Sequence, residues 1–208
     1  DLELKDSLTT IYDYCFYTCS KLKNVVFPES LNYIWDHAFE GCTTFTSITL
    51  PNSLDKVGGH AFMNCSNVTS LTFGDSITVI YTEAFKGLGK IKDLVLPDSL
   101  TQISDGAFNG CNSLQSIKLP FVGKSRTATG PEGTFGYIFG YTTFNKYEST
   151  ASAYSYVWDA TTKTNVRSFS SDNTGTYPCY KTSKSTDYVD YTTGSSSAIT
   201  TVSGATFQ

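Results

Sequence analysis

Apolar positions in the first 120 residues repeat at a fixed interval of 23 residues. The repeating unit is P-x-S-L-x-x-I-x-x-x-A-F-x-x-C-x-x-L-x-x-I-x-L, and five copies fill residues 5 to 119 without an insertion or a deletion. A period of this length predicts a solenoid, because one unit cannot bury its own apolar face and must stack on its neighbours. The serine of each unit marks the interval, at Ser7, Ser30, Ser53, Ser76 and Ser99.

The last part of each unit, L-x-x-I-x-L, has the composition of a β-strand. Stacked in register, these segments predict a parallel sheet on one face of the solenoid, with one strand per unit. Proline ends most of these strands because it lacks the N–H that a sheet ladder needs, and Gly74 stands in its place once. The A-F-x-x-C segment is too short for a full helix and predicts one helical or 3₁₀ turn. The expected strands are 22–27, 45–50, 68–73, 91–96 and 114–119.

The repeat resembles the BspA-like leucine-rich repeats found in surface proteins of bacteria and some protozoa. The resemblance covers residues 5 to about 120. The departures are Lys5 and Gly74 in place of proline, Cys15 in place of alanine and Leu88 in place of cysteine. The resemblance implies a secreted or wall-displayed protein that binds other macromolecules and catalyses nothing, although membership of a family does not identify the partner.

The first residues already carry the end of a repeat. Leu2 and Leu4 lie 23 residues before Val25 and Phe27, so residues 1–4 are expected to form the closing strand of a preceding unit. No polar cap precedes them, and solenoids need capped ends to remain soluble. We therefore expect that the protein extends upstream or that a partner chain covers this end.

The sequence predicts three regions. Residues 1–120 form the leucine-rich repeat solenoid, and residues 121–140 form an irregular sixth unit in which the segment 135–140 supplies core aromatics. Residues 141–208 are a non-repetitive insertion or appendage rich in Ser, Thr and Tyr. Interleaved Tyr, Val and Trp favour polar β-structure in this last region, whereas its hydroxyl content alone favours a mobile linker, and both remain open.

Composition and charge exclude several classes of protein. Only 16% of the residues are charged, and the net charge of −4 agrees with a pI near 5.1, which argues against a coiled coil and against a nucleic-acid-binding protein. No apolar run approaches the length of a membrane span, and the acidic start of the chain is unlike a signal peptide. We therefore expect no nucleic-acid partner and no membrane span in these residues. The chain is also rich in Tyr, Ser, Thr and Asn, a composition typical of exported proteins, so we expect a secreted or cell-surface location.

Four cysteines share one repeat position and are expected to form a buried column of reduced thiols: Cys19, Cys42, Cys65 and Cys111. Neighbouring strands are ~4.8 Å apart, so distance alone permits a disulfide. Leu88 occupies the same position in the fourth unit, which indicates that the site needs an apolar filler, and free cysteine behaves as one. A metal site would need converging ligands rather than a row. Cys179, outside the repeats, is expected to be the only exposed thiol.

No catalytic constellation is present in the sequence. It contains neither a G-x-S-x-G motif nor a phosphate-binding G-x-x-x-x-G-K motif. His37 and His60 are one period apart, with Glu83 at the same position of the next unit, so the three should be neighbours along one edge. A surface metal site is conceivable there, but a solvated ridge is the favoured interpretation. We expect no enzyme activity and no cofactor.

Two groups of residues outside the core ladder are candidates for ligand binding. The outward positions of the predicted sheet form a flat, nearly neutral face of small side chains, and the first two units carry clustered aromatics of the kind found in interface hot spots. Contact with a missing neighbouring unit explains the aromatics equally well. The expected partner is a protein, such as one of the host extracellular matrix, or a glycan. The alternative is a repeat region of a larger secreted enzyme or carbohydrate-binding protein. The candidate residues are Tyr12, Tyr14, Tyr33, Trp35, Ser47, Thr49, Ser70, Thr72, Asp93 and Lys118.

Overall fold

The computed structural model describes residues 2–121, 123–128, 132 and 135–140, together with the backbone of five further strands. Residues 2–118 form the predicted solenoid, and each complete turn contributes two short parallel strands. The strands are β1 (Leu2–Glu3), β2 (Thr10–Ile11), β3 (Val25–Val26), β4 (Tyr33–Ile34), β5 (Ser47–Thr49), β6 (Lys56–Val57), β7 (Ser70–Thr72), β8 (Val79–Ile80), β9 (Asp93–Val95), β10 (Gln102–Ile103) and β11 (Ser116–Lys118).

The odd-numbered strands are the ones that the sequence predicts. They pair in parallel, β1 with β3, β5 with β7 and β9 with β11, and paired residues are 23 positions apart, as in Leu2 opposite Val25. The parallel pairing is therefore confirmed. The strands are shorter than expected, since each has two or three residues instead of six. The apolar residues that flank them are buried in the core or pack against it, as Phe45 and Leu50 do on either side of β5. Leu50 N–H still donates a hydrogen bond to the Thr72 carbonyl of the next turn (2.9 Å).

A second sheet was not predicted, so the expectation of one strand per unit is wrong. Strands β2, β4, β6, β8 and β10 form a continuous five-stranded parallel sheet. Each has an outward residue followed by an inward one, such as Tyr33 followed by the buried Ile34. Two-residue strands leave no alternating pattern to detect, although their inward residues belong to the hydrophobic ladder that the sequence shows.

The A-F-x-x-C segment forms one hydrogen-bonded turn, closed by bonds between residues three apart, which is the spacing of the predicted 3₁₀ turn. Cys42 N–H donates to the Phe39 carbonyl (3.2 Å), while Phe39 N–H donates across to Ala61 of the next unit (2.7 Å). Helical bonding cannot continue because two positions in each turn adopt positive φ, as His37 (57°) and Gly41 (73°) do. After the last regular turn, a 3₁₀ helix spans Phe135–Phe139.

The core is a column of stacked phenylalanine rings. Phe39, Phe62 and Phe85 have no solvent exposure, and the Phe62 ring centroid is 5.2 Å from Phe39 and 5.5 Å from Phe85, with nearly parallel planes. Leucine, isoleucine and alanine side chains from every turn surround this column. Ile138 and Phe139 are also buried in the same cluster, so the 3₁₀ helix after the last regular turn packs onto the core.

The repeat serine links consecutive turns. Ser30 Oγ donates to the Leu8 carbonyl (2.8 Å), and Ser53 Oγ donates to the Leu31 carbonyl (2.8 Å). Each bond satisfies a carbonyl that the short strands leave outside their ladders, which explains why the sequence places a serine at this position.

Five strands lie beyond residue 154. β12 and β13 form one antiparallel pair, and β14 and β15 form another. β16 pairs in parallel with β11, with Val202 opposite Ile117. Of the predicted region 121–140, residues 121, 123–128, 132 and 135–140 are described, and of the region 141–208 the structure describes the backbone of these five strands. The proposed boundaries of the two regions stay a prediction. The five strands are β12 (Ser155–Asp159), β13 (Thr164–Ser168), β14 (Tyr180–Ser183), β15 (Thr186–Val189) and β16 (Thr201–Ser203).

Gly58 lies where two turns of backbone approach most closely. A Cβ at Gly58 would be 2.5 Å from the Trp35 carbonyl carbon and 2.6 Å from the Asp36 nitrogen. We expect Gly58→Ala to lower the free energy of unfolding by about 1–3 kcal/mol, because backbone must move to accept the methyl group. Gly89→Ala is the control, since its Cβ would meet only the Gly110 carbonyl oxygen at 3.7 Å. Urea denaturation of both variants measures the difference, and equal stabilities would contradict the proposed crowding.

Candidate interaction surfaces

Exposed aromatic rings cluster at the first two turns. Tyr12, Tyr14 and Tyr17 are 71%, 55% and 45% exposed. Tyr14 contacts Tyr17 edge to face with centroids 5.5 Å apart, and the half-buried Tyr33 and Trp35 stack on each other at 5.6 Å. We call these five residues the aromatic patch. Four of them are predicted ligand-binding residues, and ring contacts hold Tyr14, Tyr33 and Trp35 in defined orientations.

The predicted histidine ridge is present and continues the aromatic patch along the solenoid. Tyr14 stacks on His37 with centroids 4.6 Å apart, and His37 stacks on His60 at 4.6 Å. His60 Nε2 lies 3.3 Å from Glu83 Oε2. The expectation that these side chains are neighbours is confirmed. In the part of the chain that the structure describes, no three His, Cys, Asp or Glu side chains are arranged to hold a metal ion.

Carboxylates one residue before the ridge positions accept hydrogen bonds from the backbone of the next turn. Asp13 Oδ1 accepts a hydrogen bond from Asp36 N–H (3.0 Å), and Asp36 Oδ1 accepts one from Gly59 N–H (2.6 Å). Asp105 has the same repeat position, and burial, with a further contribution from Glu83, raises the pKa of its carboxyl group. Asp13 and Asp36 therefore join successive turns and have a structural role, whereas the buried Asp105 Oδ1 has no hydrogen-bond partner among the described residues.

The other predicted binding residues lie on a separate surface. Ser47, Thr49, Ser70 and Thr72 are exposed on β5 and β7. The aromatic patch includes Tyr33 of β4, which belongs to the other row of strands. The candidate residues thus form two surfaces rather than one site.

We call the second surface the strand face. It comprises the outward residues of β3, β5, β7, β9 and β11 and the exposed residues that lead into those strands. Asp93 and Lys118 lie at its far end, where Ser116 Oγ donates to Asp93 Oδ1. Val26 and Val95 add exposed apolar area, at 62% and 58%. The lysines that lead into the strands are not among the predicted residues, because they lie outside the two central rows of the sheet. They are Lys21, Lys23, Lys90 and Lys92, all exposed.

Three of the four predicted column thiols are buried, and the fourth is not. Cys42, Cys65 and Cys111 have no exposure, and all are free thiols. Burial, helped by neighbouring Cys19, raises the pKa of Cys42 to about 11, and burial raises that of Cys111 to about 12. Burial raises the pKa of Cys65 as well.

The expectation that Cys19 is buried is wrong. Cys19 and Cys15 are both exposed, because no described turn packs on the outer side of the first turn. The expectation that Cys179 is the only exposed thiol is therefore also wrong, and Cys179 itself lies outside the described residues.

In the described part of the chain, no helix has the length and hydrophobicity needed to span a bilayer.

Solved structures of other proteins are similar to this chain over its repeat region. No protein with a curated description matches the chain. Among solved structures, the leucine-rich repeat protein TpLRR of T. pallidum is similar at 35% identity and a TM-score of 0.55, over 57% of this chain and 57% of that one. The pneumococcal vaccine antigen PcpA is similar at 30% identity and a TM-score of 0.50, over 55% of this chain.

The chain spans 57% of TpLRR and 29% of PcpA, so these likenesses concern the repeat region. The model of the BspA type leucine rich repeat region matches residues 9–128 in six copies. These residues include the regular turns that carry the aromatic patch and the strand face. The chain therefore belongs to the BspA-type leucine-rich repeat family.

Proposed function

We propose that this chain is a non-catalytic interaction module, secreted or displayed at a cell surface, that binds protein ligands such as those of a host extracellular matrix. The aromatic patch carries this proposal. Tyrosine and tryptophan are enriched among the residues that dominate interface energies, because they bury a large area with few rotatable bonds. Solvent exposure leaves Tyr12, Tyr14 and Tyr17 available to a partner.

The family and its relatives support this direction. Leucine-rich repeats of this type form protein-interaction modules, and the similar protein PcpA is a vaccine antigen. The solenoid core uses the repeated apolar positions, so the exposed positions are free to vary between turns. The specific part of the proposal, binding to matrix proteins, is what the following experiment tests.

Removing the exposed tyrosines should abolish most of this binding. We expect the variant Tyr12→Ser, Tyr14→Asn, Tyr17→Ser to bind a matrix protein about tenfold or more weakly, since loss of one good aromatic contact costs more than 1 kcal/mol. Asparagine is chosen at position 14 because Tyr14 has φ of 57°, which asparagine tolerates. Surface plasmon resonance against immobilised fibronectin, fibrinogen, laminin and collagen measures the dissociation constants.

The matched control changes three exposed residues of the strand face, as Val26→Ala, Thr72→Ala and Val95→Ala. It should retain binding within about twofold, because surface changes outside the contact have small effects. Thermal denaturation verifies that both variants fold. Binding of no matrix protein by the unmodified chain, or equal binding by both variants, would contradict the proposal.

A further inference from the structure

We infer that the strand face binds an anionic polysaccharide, one that bears sulfate or carboxylate groups. The inference extends the proposed function, since it assigns a second ligand class to the same module. It rests on the distribution of charge over a different surface from the aromatic patch.

Lysines are concentrated on the strand face. Of the eight lysines in residues 2–120, five lie there, whereas only one of the twelve acidic residues does, Asp93. This contrasts with the net charge of −4 for the whole chain. The five lysines, all exposed, are Lys21, Lys23, Lys90, Lys92 and Lys118.

These lysines are available to a ligand. Within the described residues, lysine ion pairs are made by Lys56, Lys86 and Lys124, all of which lie outside the strand face. On the strand face, Lys90 Nζ donates to the neutral Asn67 side chain (2.5 Å), and Asp93 is engaged by the Ser116 hydroxyl. The lysine charges on this face are therefore not neutralised by carboxylates of the same surface.

The lysines of the strand face follow the regular spacing of the stacked turns. Gln115 N–H donates to the Lys92 carbonyl (2.7 Å), as Thr69 N–H donates to Thr46 (2.9 Å), so the row that contains Lys23 and Lys92 continues the strand pairing. Successive turns of a parallel sheet are ~4.8 Å apart, which separates Lys23 from Lys92 by roughly 14 Å over three turns. A linear polymer with repeated anionic groups can reach lysines at both ends at once.

Between the two groups of lysines, the surface carries short hydroxyl side chains. Ser and Thr occupy its central turns at Ser47, Thr49, Ser70 and Thr72, which leaves the face flat and able to hydrogen-bond to sugar hydroxyls. The strand face has no aromatic ring. Binding of single-stranded nucleic acid depends on aromatic stacking of bases, so a polysaccharide fits this surface better than a nucleic acid does.

Acidic residues border the strand face on one side. Glu29, Asp75 and Asp98 are exposed, one residue after the proline or glycine that lies beyond β3, β7 and β9. Their charges repel an anionic chain from the adjoining surface and direct it along the lysine rows. The surface thus favours one path for the ligand, parallel to the solenoid axis.

The test compares two variants with the same change in charge. The strand-face variant carries Lys23→Gln, Lys90→Gln, Lys92→Gln and Lys118→Gln, and the control carries Lys5→Gln, Lys56→Gln, Lys86→Gln and Lys124→Gln. Fluorescence anisotropy at 150 mM NaCl measures binding of labelled heparin, hyaluronan, dextran and a single-stranded oligonucleotide. Circular dichroism and thermal denaturation verify that both variants fold.

We expect heparin to bind the unmodified chain and to bind the strand-face variant about tenfold or more weakly, since four exposed charge contacts are lost. The control should stay within about threefold, and heparin binding should weaken with added salt. Hyaluronan carries carboxylates without sulfates, so its binding identifies carboxylate as a sufficient group, and its failure to bind identifies sulfate as the required one.

Several results would overturn the inference. They are absence of heparin binding, equal loss in both variants, equally tight binding of neutral dextran, and tighter binding of the oligonucleotide than of heparin. The tyrosine variant should retain heparin binding. If the tyrosine variant loses matrix binding and keeps heparin binding, the two ligands use different surfaces. If the unmodified chain binds a matrix protein but not heparin, this inference fails and the proposed function stands.

Discussion

Replacing Phe62 with alanine is expected to lower the free energy of unfolding by about 3–5 kcal/mol. Phe62 has no solvent exposure, and its ring stacks between those of Phe39 and Phe85. Phe27 also contacts it edge to face, with centroids 6.4 Å apart. Truncation leaves a cavity bounded by three turns, and turns held by hydrogen bonds on both sides cannot collapse into it.

Thr72→Ala provides the contrast for this measurement. Thr72 lies on β7 with its side chain exposed, so we expect a change within about 0.5 kcal/mol. Urea denaturation followed by circular dichroism gives both values. Similar losses in the two variants would mean that the inward and outward faces of the solenoid are wrongly assigned.

The cysteines of the folded protein are expected to differ in alkylation rate by orders of magnitude. Cys15 and Cys19 are exposed and should react with iodoacetamide at pH 7.5 at the rate of an ordinary thiol. Cys42, Cys65 and Cys111 should react only after unfolding. The thiolate is the reactive form, and a thiol with a pKa of about 11, as for Cys42, holds roughly a hundredth of the usual thiolate at this pH.

Hydrogen bonds strengthen this protection. Cys42 Sγ donates to the Phe16 carbonyl (3.2 Å), and Cys65 Sγ donates to the Phe39 carbonyl (3.3 Å), which favours the protonated form of each. Peptide mapping by mass spectrometry assigns the label to each cysteine, and a sample in urea shows that all can react. Rapid labelling of Cys65 or Cys111 in the folded state would disprove the buried column.

The 23-residue period made the main features of the solenoid predictable. Turns of constant length stack with residue i opposite residue i+23, so the pairing of Leu2 with Val25 and of Ser47 with Ser70 follows from the spacing. The phenylalanine column follows in the same way, because identical side chains at one repeat position must stack. The adjacency of His37 and His60 is a third consequence of the same arithmetic.

Features that depend on the path of the chain within one turn were not predictable. The second sheet arises because Thr10–Ile11 and its equivalents lie opposite each other for two residues only, too few for a strand pattern. The turn around His37 does not continue into a helix because this repeat position adopts positive φ, even where it is Tyr14 or Glu83, which do not favour that conformation. Local propensity is overridden by contacts between turns.

Finally, the solvent exposure of a side chain depends on whether turns pack on both sides of it, which the repeat pattern alone does not specify. Cys19 and Cys42 have the same repeat position, yet one is exposed and the other buried, because packing on both sides is needed to exclude water from a stacked turn. The period likewise aligns Lys23 with Lys92, but their shared face with Lys118 becomes evident only once inward and outward positions are known. Stacking order follows from the spacing of apolar residues, whereas surface charge and thiol reactivity follow from the three-dimensional packing around each side chain.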